Sequence, residues 1–283
     1  MEVYSRLVKP NAPSAKKRFG QHFLRDTGVV DRIARWIQPG SDDAFLEVGA
    51  GDGALSRQLA PSVLHYIALE IDADCIPQLR ERLIPCQSAA VVQGDFLQLD
   101  LTTFLSQHFS PDMQVRVVGN LPYNIATVII ERLLHHAQSI RDMHFMIQLE
   151  VAQRITASPG TKDYGFFSVY CQHHAAVQLG FKVSPACFVP RPKVNSSMVA
   201  IRPKRREFIP DFESAFDEIV KAAFSYRRKT LSNSLARHSG ISKIAELLLA
   251  QTEIDGSVRA EDLSVPEYER LASTYFHEFR NRK

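Results

Sequence analysis

Short apolar runs alternate with helix-like segments over residues 40–150, and this alternation limits the fold more sharply than any other feature of the chain. The runs at 44–48, 66–69, 90–93, 115–119 and 144–149 have strand length, and their nearly continuous apolar character suits strands covered on both faces. Segments with helical periodicity lie between them, among them 54–59, 73–83 and 126–135. A parallel neighbour needs a crossover of a dozen or more residues, so this repetition predicts a parallel, doubly wound α/β sheet. An amphipathic helix at 28–38 precedes the first run, with Val29, Val30, Ile33, Trp36 and Ile37 on one stripe. Asp26 or Thr27 is its expected cap and Pro39-Gly40 its stop. Two further strand-like runs, 176–183 and 197–202, can form an antiparallel edge pair.

The pattern changes after Pro203. A charged, proline-bounded stretch, 203–210, leads into Phe212, Phe216, Ile219, Val220 and Ala223 at helical spacing. Further helices are expected at 231–237, 241–250 and 266–276, the last opened by Ser264 with Glu267 three residues on, a capping-box pattern. The chain therefore divides into a domain over 1–205 and a smaller, all-helical C-terminal domain over 206–283.

Four strand ends carry groups suited to one ligand. The first is followed by Glu47-Val-Gly49-Ala-Gly51-Asp-Gly53, whose glycines allow close approach of a ligand to the backbone at the carboxyl edge of the sheet. The spacing is not that of a dinucleotide-binding loop, which disfavours an oxidoreductase. The second strand ends at Glu70, where a carboxylate can accept both hydroxyls of a ribose, and Asp72 reads as the cap of the next helix. The third ends in Gly94-Asp95-Phe96, a carboxylate for an adenine amine and an aromatic to pack on the ring. Each has an ordinary alternative in a glycine turn, a surface acid or a turn aspartate, but their joint occurrence describes a pocket for S-adenosylmethionine.

The fourth strand ends in Asn120-Leu121-Pro122-Tyr123. The Asn120 amide oxygen and the Leu121 carbonyl can both accept hydrogen bonds from an exocyclic NH2, and the Tyr123 ring offers a stacking face. Taken alone, the tetrapeptide also reads as an ordinary Asn/Pro turn. Beside a methyl-donor pocket it is equipment for methylating adenine N6.

Net charge is only +3, but six lysines and arginines face two acids over residues 1–30, seven face none over 182–206, and five face none over 221–238. Segregated basic runs beside stacking aromatics suit the phosphate backbone of a nucleic acid, and Lys16, Lys17, Arg18, Arg191, Lys193, Arg227, Arg228 and Lys229 are the candidate backbone contacts, to RNA if the resemblance described next holds. Four separated cysteines point to reduced thiols and a cytoplasmic protein. No apolar run reaches the roughly 20 residues of a membrane helix, so no membrane association is expected. The doublets His135-His136 and His173-His174 lack ligand spacing on one element, so no metal is expected.

These residues, in this order, resemble the ribosomal RNA adenine N6-dimethyltransferase family of the KsgA/RsmA type. The likeness runs through Lys17-Arg-Phe-Gly-Gln-His-Phe-Leu24, the glycine loop, Glu70-Ile-Asp72, Gly94-Asp95 and Asn120-Leu-Pro-Tyr-Asn-Ile125. It continues in Gln148-Leu-Glu-Val-Ala-Gln-Arg-Ile155, Tyr164-Gly165, Phe188-Val-Pro-Arg-Pro-Lys-Val-Asn-Ser196 and Phe224-Ser-Tyr-Arg-Arg-Lys-Thr-Leu231. The resemblance implies a Rossmann-like class I methyltransferase sheet of seven strands and a small helical C-terminal domain. It implies S-adenosylmethionine as cofactor and dimethylation of two adjacent adenosines near the 3′ end of small-subunit ribosomal RNA, in an assembling subunit; separately, a monomer is expected.

Cofactor contacts would fall on His22, Leu24, Gly49, Gly51, Glu70, Asp95, Phe96 and Asn120, and catalytic roles on Asn120, Leu121, Pro122, Tyr123 and Phe188. Phe188 corresponds to the family's second aromatic beside the target base; its alternative is a hydrophobic loop anchor. His22 stands where the family often has Asn, Ala50 where proline is frequent and Asn195 where aspartate is. Rival readings are a resistance methyltransferase acting on large-subunit RNA, a DNA adenine methyltransferase, and a non-enzymatic RNA-binding assembly or transcription factor.

Overall fold

The computed structural model describes residues 15–16, 19–206, 209–226 and 228–280; the expected RNA contacts Lys17, Arg18 and Arg227 lie outside them. Chain order is β1 (Phe23–Leu24), α1 (Thr27–Ile37), β2 (Ala44–Val48), α2 (Ser56–Leu59), β3 (His65–Glu70), α3 (Ile76–Leu83), β4 (Ala89–Gln93), α4 (Leu101–His108), β5 (Val115–Asn120), α5 (Ala126–Leu134) and β6 (Ile140–Gln148). Then follow α6 (Leu149–Ile155), α7 (Phe166–His174), β7 (Ala175–Val183), β8 (Phe188–Val189), β9 (Ser196–Pro203), α8 (Pro210–Phe224), α9 (Leu231–Leu235), α10 (Ala245–Thr252) and α11 (Val265–Thr274).

Seven strands form one sheet in the order β4-β3-β2-β5-β6-β9-β7. The first five are mutually parallel, and β9 runs antiparallel to β6. The two runs expected as an edge pair, 176–183 and 197–202, are the last two strands of the sheet, with β7 outermost and β9 between it and β6. Gly180 of β7 permits this pairing, since a Cβ there would stand 2.8 Å from the Met198 side chain and 2.9 Å from its carbonyl oxygen. The chain order reverses between β2 and β5, and loops at the carboxyl ends of strands flanking such a reversal leave a crevice for a ligand.

Two compact units emerge from the contacts. The sheet unit runs to Leu149 and includes Leu179–Pro203; the helical unit takes Glu150–Gln178 and the residues from Lys204 onward. The expected split at 205/206 thus misses a helix pair that interrupts the sheet sequence, because Tyr164 and Val169 bury their side chains in the helical core.

In the sheet unit, Asp26 caps α1 by accepting the Val29 amide at 3.0 Å, and Val30, Ile33 and Ile37 turn inward. Buried Arg116 on β5 fastens the other end of this helix, donating to the Ile37 and Gln38 carbonyls at 2.8 and 3.2 Å and to the carboxylates of Asp43 and Asp142. A cation on the last carbonyls opposes the negative end of the helix dipole. Burial pushes Asp142 up, but hydrogen bonds from His144 and Arg116 outweigh it and hold the carboxyl at about 2.

In the helical unit, Phe216, Ile219 and Val220 of α8 pack with Leu248, Tyr268 and Leu271. The capping box forms as expected, with Glu267 accepting the Ser264 amide at 2.7 Å. His173 lies at the end of α7, fully buried, its ring stacked on Phe216 with centroids 3.6 Å apart. Burial first, and the Arg206 guanidinium second, lower its pKa to about 4, so the imidazole is neutral at neutral pH.

Candidate active site

Two cavities open at the carboxyl edge of the sheet, of about 700 and 780 Å³, and both are bounded by Phe19, Gly49, Ile71 and Pro122. They are adjoining halves of one cleft, and all its lining residues belong to the sheet unit.

The glycine loop forms one wall. Gly49 and Ala50 both donate their amides to the Leu69 carbonyl, at 2.9 and 3.1 Å, which folds the chain back over the end of β3. Gly49 has φ +71°, and a Cβ there would meet no heavy atom within 4 Å. A side chain at this position would project into open cleft, so its absence makes a cradle in which a ligand can lie on the backbone. Glu70 closes the loop: its Oε2 accepts the Gly51 amide at 2.6 Å and its Oε1 the Asp72 amide at 2.8 Å. Burial raises the Glu70 pKa against these two bonds, and each oxygen retains a lone pair for a hydroxyl.

In the second half, Asp95 accepts the Leu97 amide on Oδ1 at 2.9 Å, and Phe96 lines the cavity with its carbonyl fixed by Arg132 at 2.8 Å. The donor and acceptor set fits a nucleoside with a short charged tail: carboxylates in both halves, an aromatic wall, a glycine cradle and, among the described residues, no lysine or arginine in the lining.

Asn120 ends β5 in the first half. Its Nδ2 donates to the His22 carbonyl at 2.8 Å, which orients the amide and makes Oδ1 the remaining acceptor. Leu121 is buried, its amide donating to the Met146 carbonyl at 3.1 Å, and Pro122 leaves the Leu121 carbonyl outside the helical pattern that follows. The Tyr123 hydroxyl pairs with Ser196 Oγ at 2.7 Å, and its ring stacks on His22, centroids 5.5 Å apart and planes 28° apart. His22 is itself held, with Nδ1 2.7 Å from the Pro190 carbonyl. Leu24 lines the same half, so His22, Leu24, Gly49, Gly51, Glu70 and the turn 120–123 come together as expected, with Asp95 and Phe96 in the adjoining half.

Phe188 does not join them. It pairs with Leu24 across the β1–β8 ribbon, is 1% exposed, and lies in the hydrophobic cluster of the sheet unit, bounding neither cavity. Strand alternation turns it inward while Val189 faces solvent, so here it is the loop anchor, not a second stacking face. Lys16 is also redirected: its Nζ pairs with both Asp72 and Asp74 at 2.6 Å. Asp72 is not the cap of α3, whose N-cap is Cys75; it accepts the Asp74 amide at 3.1 Å and holds Gln21 and Lys16. Arg191 and Lys193 are exposed on the loop beside Pro190, and Arg228 and Lys229 are exposed in the helical unit.

Three acids or rings of the cleft had no assigned role in the sequence. Phe19 bounds both halves, and Glu47 and Asp52 line the first. Glu47 is 1% exposed, accepts from Ser56 and from the Tyr66 hydroxyl at 2.8 Å, and burial raises it to about 7 despite those two bonds. Asp52 is ion-paired with Arg25 and, at 3.2 Å, with Arg82. The signal for Glu47 was an acid inside an otherwise apolar strand, where only a partnered or functional carboxyl is tolerated.

The family described as ribosomal RNA adenine dimethylase matches residues 12–276. A ribosomal RNA small subunit methyltransferase A from Chromohalobacter salexigens is 41% identical over 266 residues, covering 94% of this chain and 93% of that protein. One from Saccharophagus degradans is 42% identical over 261 residues, covering 92% and 94%. Among solved structures, a dimethyladenosine transferase from Plasmodium falciparum superposes with TM-score 0.75 at 23% identity, over 90% of this chain and 97% of that one, a likeness of fold. The 23S rRNA methyltransferase ErmE gives 0.67 at 26% identity, over 89% and 98%. Fold, cleft and sequence agree, and the chain belongs to the ribosomal RNA adenine dimethylase family.

Proposed function

We propose that this protein converts two adjacent adenosines near the 3′ end of small-subunit (16S) ribosomal RNA to N6,N6-dimethyladenosine, using S-adenosylmethionine, during assembly of the small subunit. The observation that carries the reading is the orientation of Asn120: its NH2 is committed to the His22 carbonyl, so its oxygen is the acceptor available at the cleft.

Adenine N6 is a poor nucleophile because its lone pair is delocalised into the ring. The Asn120 Oδ1 and the Leu121 carbonyl accept the two N6–H groups, draw the amine toward pyramidal geometry and direct its lone pair at the methyl donor. Pro122 keeps the Leu121 carbonyl out of helical hydrogen bonding. Tyr123 stacks on the flipped-out base, a contact contributing about 1–3 kcal/mol. Glu70 would hold the ribose hydroxyls of the cofactor and Asp95 its adenine amine, with Phe96 against the adenine; His22, Leu24, Gly49 and Gly51 would bound the remainder. The bound cofactor supplies an electrophilic methyl group on positively charged sulfur. Once methylated, N6 is cationic and acidic enough to lose its proton to water, so neither a covalent enzyme intermediate nor a dedicated general base is needed.

Arg191, Lys193, Arg228 and Lys229 contact RNA phosphates, with Lys17, Arg18 and Arg227 as further candidates outside the described residues. The protein acts in the cytoplasm as a monomer. No helix among the described residues is long and apolar enough to cross a membrane. The test is mass spectrometry of RNA after incubation with cofactor and undermethylated small subunits. Dimethyladenosine at neighbouring 3′ positions is expected; label entering large-subunit RNA, or no label with subunit binding retained, overturns the reading.

A further inference from the structure

The histidine doublet at the end of α7 has no part in methyl transfer, yet it is one of the most heavily buried polar clusters in the chain. His173, His174 and Glu213 are all buried, and one nitrogen or oxygen from each lies within 4.8 Å of the others. His173 Nε2 is 3.1 Å and His174 Nε2 3.8 Å from Glu213 Oε2. Ligands about 2.0–2.1 Å from a tetrahedral zinc ion stand roughly 3.4 Å apart, and these two separations straddle that figure. All the groups belong to the helical unit.

Two features distinguish this cluster from a chance meeting of polar side chains. His173 Nδ1 lies 2.7 Å from Glu269 Oε1, so the ring donates its N–H to that carboxylate and turns the Nε2 lone pair toward Glu213. A carboxylate behind the ligating imidazole is the usual way a metal-binding histidine is oriented, and stacking on Phe216 fixes the ring further. The centre of the cluster is also already a cation position. Arg206 Nη2 contacts His173 Nε2, lies 3.0 and 3.2 Å from the two Glu213 oxygens and 3.5 Å from His174 Nδ1. One guanidinium nitrogen thus stands among the same donors that a metal ion would take. Arg206 brings a single positive charge to two carboxylates, Glu213 and Glu269, where a divalent ion would balance both. Lys204, the other nearby cation, donates its ammonium to the Gln172 carbonyl at 2.7 Å.

We propose that His173, His174 and Glu213 form a zinc-type metal site in the helical unit, with Arg206 as the built-in cation that the metal displaces. Two imidazoles and one carboxylate are a nitrogen-rich donor set suited to zinc and its late first-row neighbours and unsuited to magnesium or calcium. Water completes the coordination on the side where Arg206 is partly exposed. Sequence spacing concealed the site because the ligands come from the end of one helix and the first turn of another, 39 residues apart in the chain.

The experiment is a cobalt(II) titration of the full-length, tag-free protein, followed by visible absorption and then by displacement with zinc(II). Wild type is expected to develop ligand-field bands that saturate at one equivalent and vanish on adding zinc. His173→Gln and Glu213→Gln should lose the bands, and His174→Gln should weaken cobalt binding at least tenfold. Arg206→Ala should bind at least tenfold more tightly, and zinc but not magnesium should raise its Tm. Absence of bands in wild type overturns the proposal whatever Arg206→Ala does, as do bands that persist in a Glu213→Gln protein whose circular dichroism is native. Should Glu213→Gln fail to fold, His174→Gln at the margin of the cluster provides the same comparison.

Discussion

At the scale of single residues, two polar side chains in the cleft carry separable predictions. Asn120 both holds the His22 carbonyl and presents its oxygen to substrate, so Asn120→Ala should lower kcat on the order of 10²–10³-fold, the usual cost of one oriented polar group in a transition state. Cofactor affinity, read by equilibrium dialysis, should fall much less; parallel loss of both would mean that the amide acts only through the loop. Glu47 supplies a pH signature. Its carboxyl is raised from 4.5 to about 7, so between those values the folded chain retains a proton that the unfolded chain has released. Stability then declines as pH rises from 4.5 to 7, by on the order of 3 kcal/mol, and is flat above. Glu47→Gln, isosteric and always neutral, should remove that slope in chemical denaturation measured across the window. An unchanged slope would assign the titration elsewhere. The placement of Asn120 at the cleft was legible because Asn120-Leu-Pro-Tyr is contiguous and ends a strand, whereas Glu47 received no role because its neighbours across the fold, Ser56 and Tyr66, are distant in sequence. Phe188 was misread because motif membership does not reveal which face of a two-residue strand a ring occupies.

At the scale of elements, the five parallel strands were readable to within a few residues because their runs are predominantly apolar, and four of the five are largely buried. Three helices, α4, α6 and α7, were not assigned from sequence. Each is short, at 8, 7 and 9 residues, and α7 is crowded with aromatics and histidines that mask its period. The order of the last strands was hidden too, since whether β9 inserts beside β6 depends on non-local pairing that local pattern does not encode. The β2 and β5 turns show how elements shape the cleft. Gly119 approaches β2 so closely that a Cβ would stand 2.5 Å from the Val48 carbonyl oxygen, whereas a Cβ at Gly49 would enter open cleft. Gly119→Ala should therefore destabilise the fold, lowering Tm by several degrees, because rigid backbone must move. Gly49→Ala should cost only about 1–2 kcal/mol of backbone strain while weakening cofactor binding at least tenfold. Titration calorimetry and thermal melts on the two variants should give opposite rankings; equal rankings would remove Gly49 from the cofactor wall.

At the scale of the whole molecule, the sequence announced three basic runs without showing which charges remain available after folding. Lys16 is already matched by Asp72 and Asp74, and the hydrogen bonds it donates to both, the largest causes, raise its pKa. Its role is to tie the chain before β1 to the loop after β3, next to Gln21, and so to support the cleft wall. Arg191 and Lys193 are exposed on the loop whose Pro190 carbonyl meets His22, so a phosphate bound there would lie close to the cleft in the same unit. Each phosphate contact releases about 0.7–0.9 of a counterion, and its loss flattens the dependence of log affinity on log salt by about that amount. Arg191→Ala with Lys193→Ala should therefore weaken binding to undermethylated small subunits, reduce the salt slope by about 1.5, and leave cofactor affinity unchanged. Lys16→Ala should do the reverse: a nearly unchanged slope, with weaker cofactor binding as Gln21 and Asp72 lose their partner. Filter binding from low to moderate salt, run beside cofactor calorimetry, separates the two. A salt slope that falls as far in Lys16→Ala as in the double variant would show that the ion pair with Asp72 opens on the ribosome and that the first basic run reaches RNA after all.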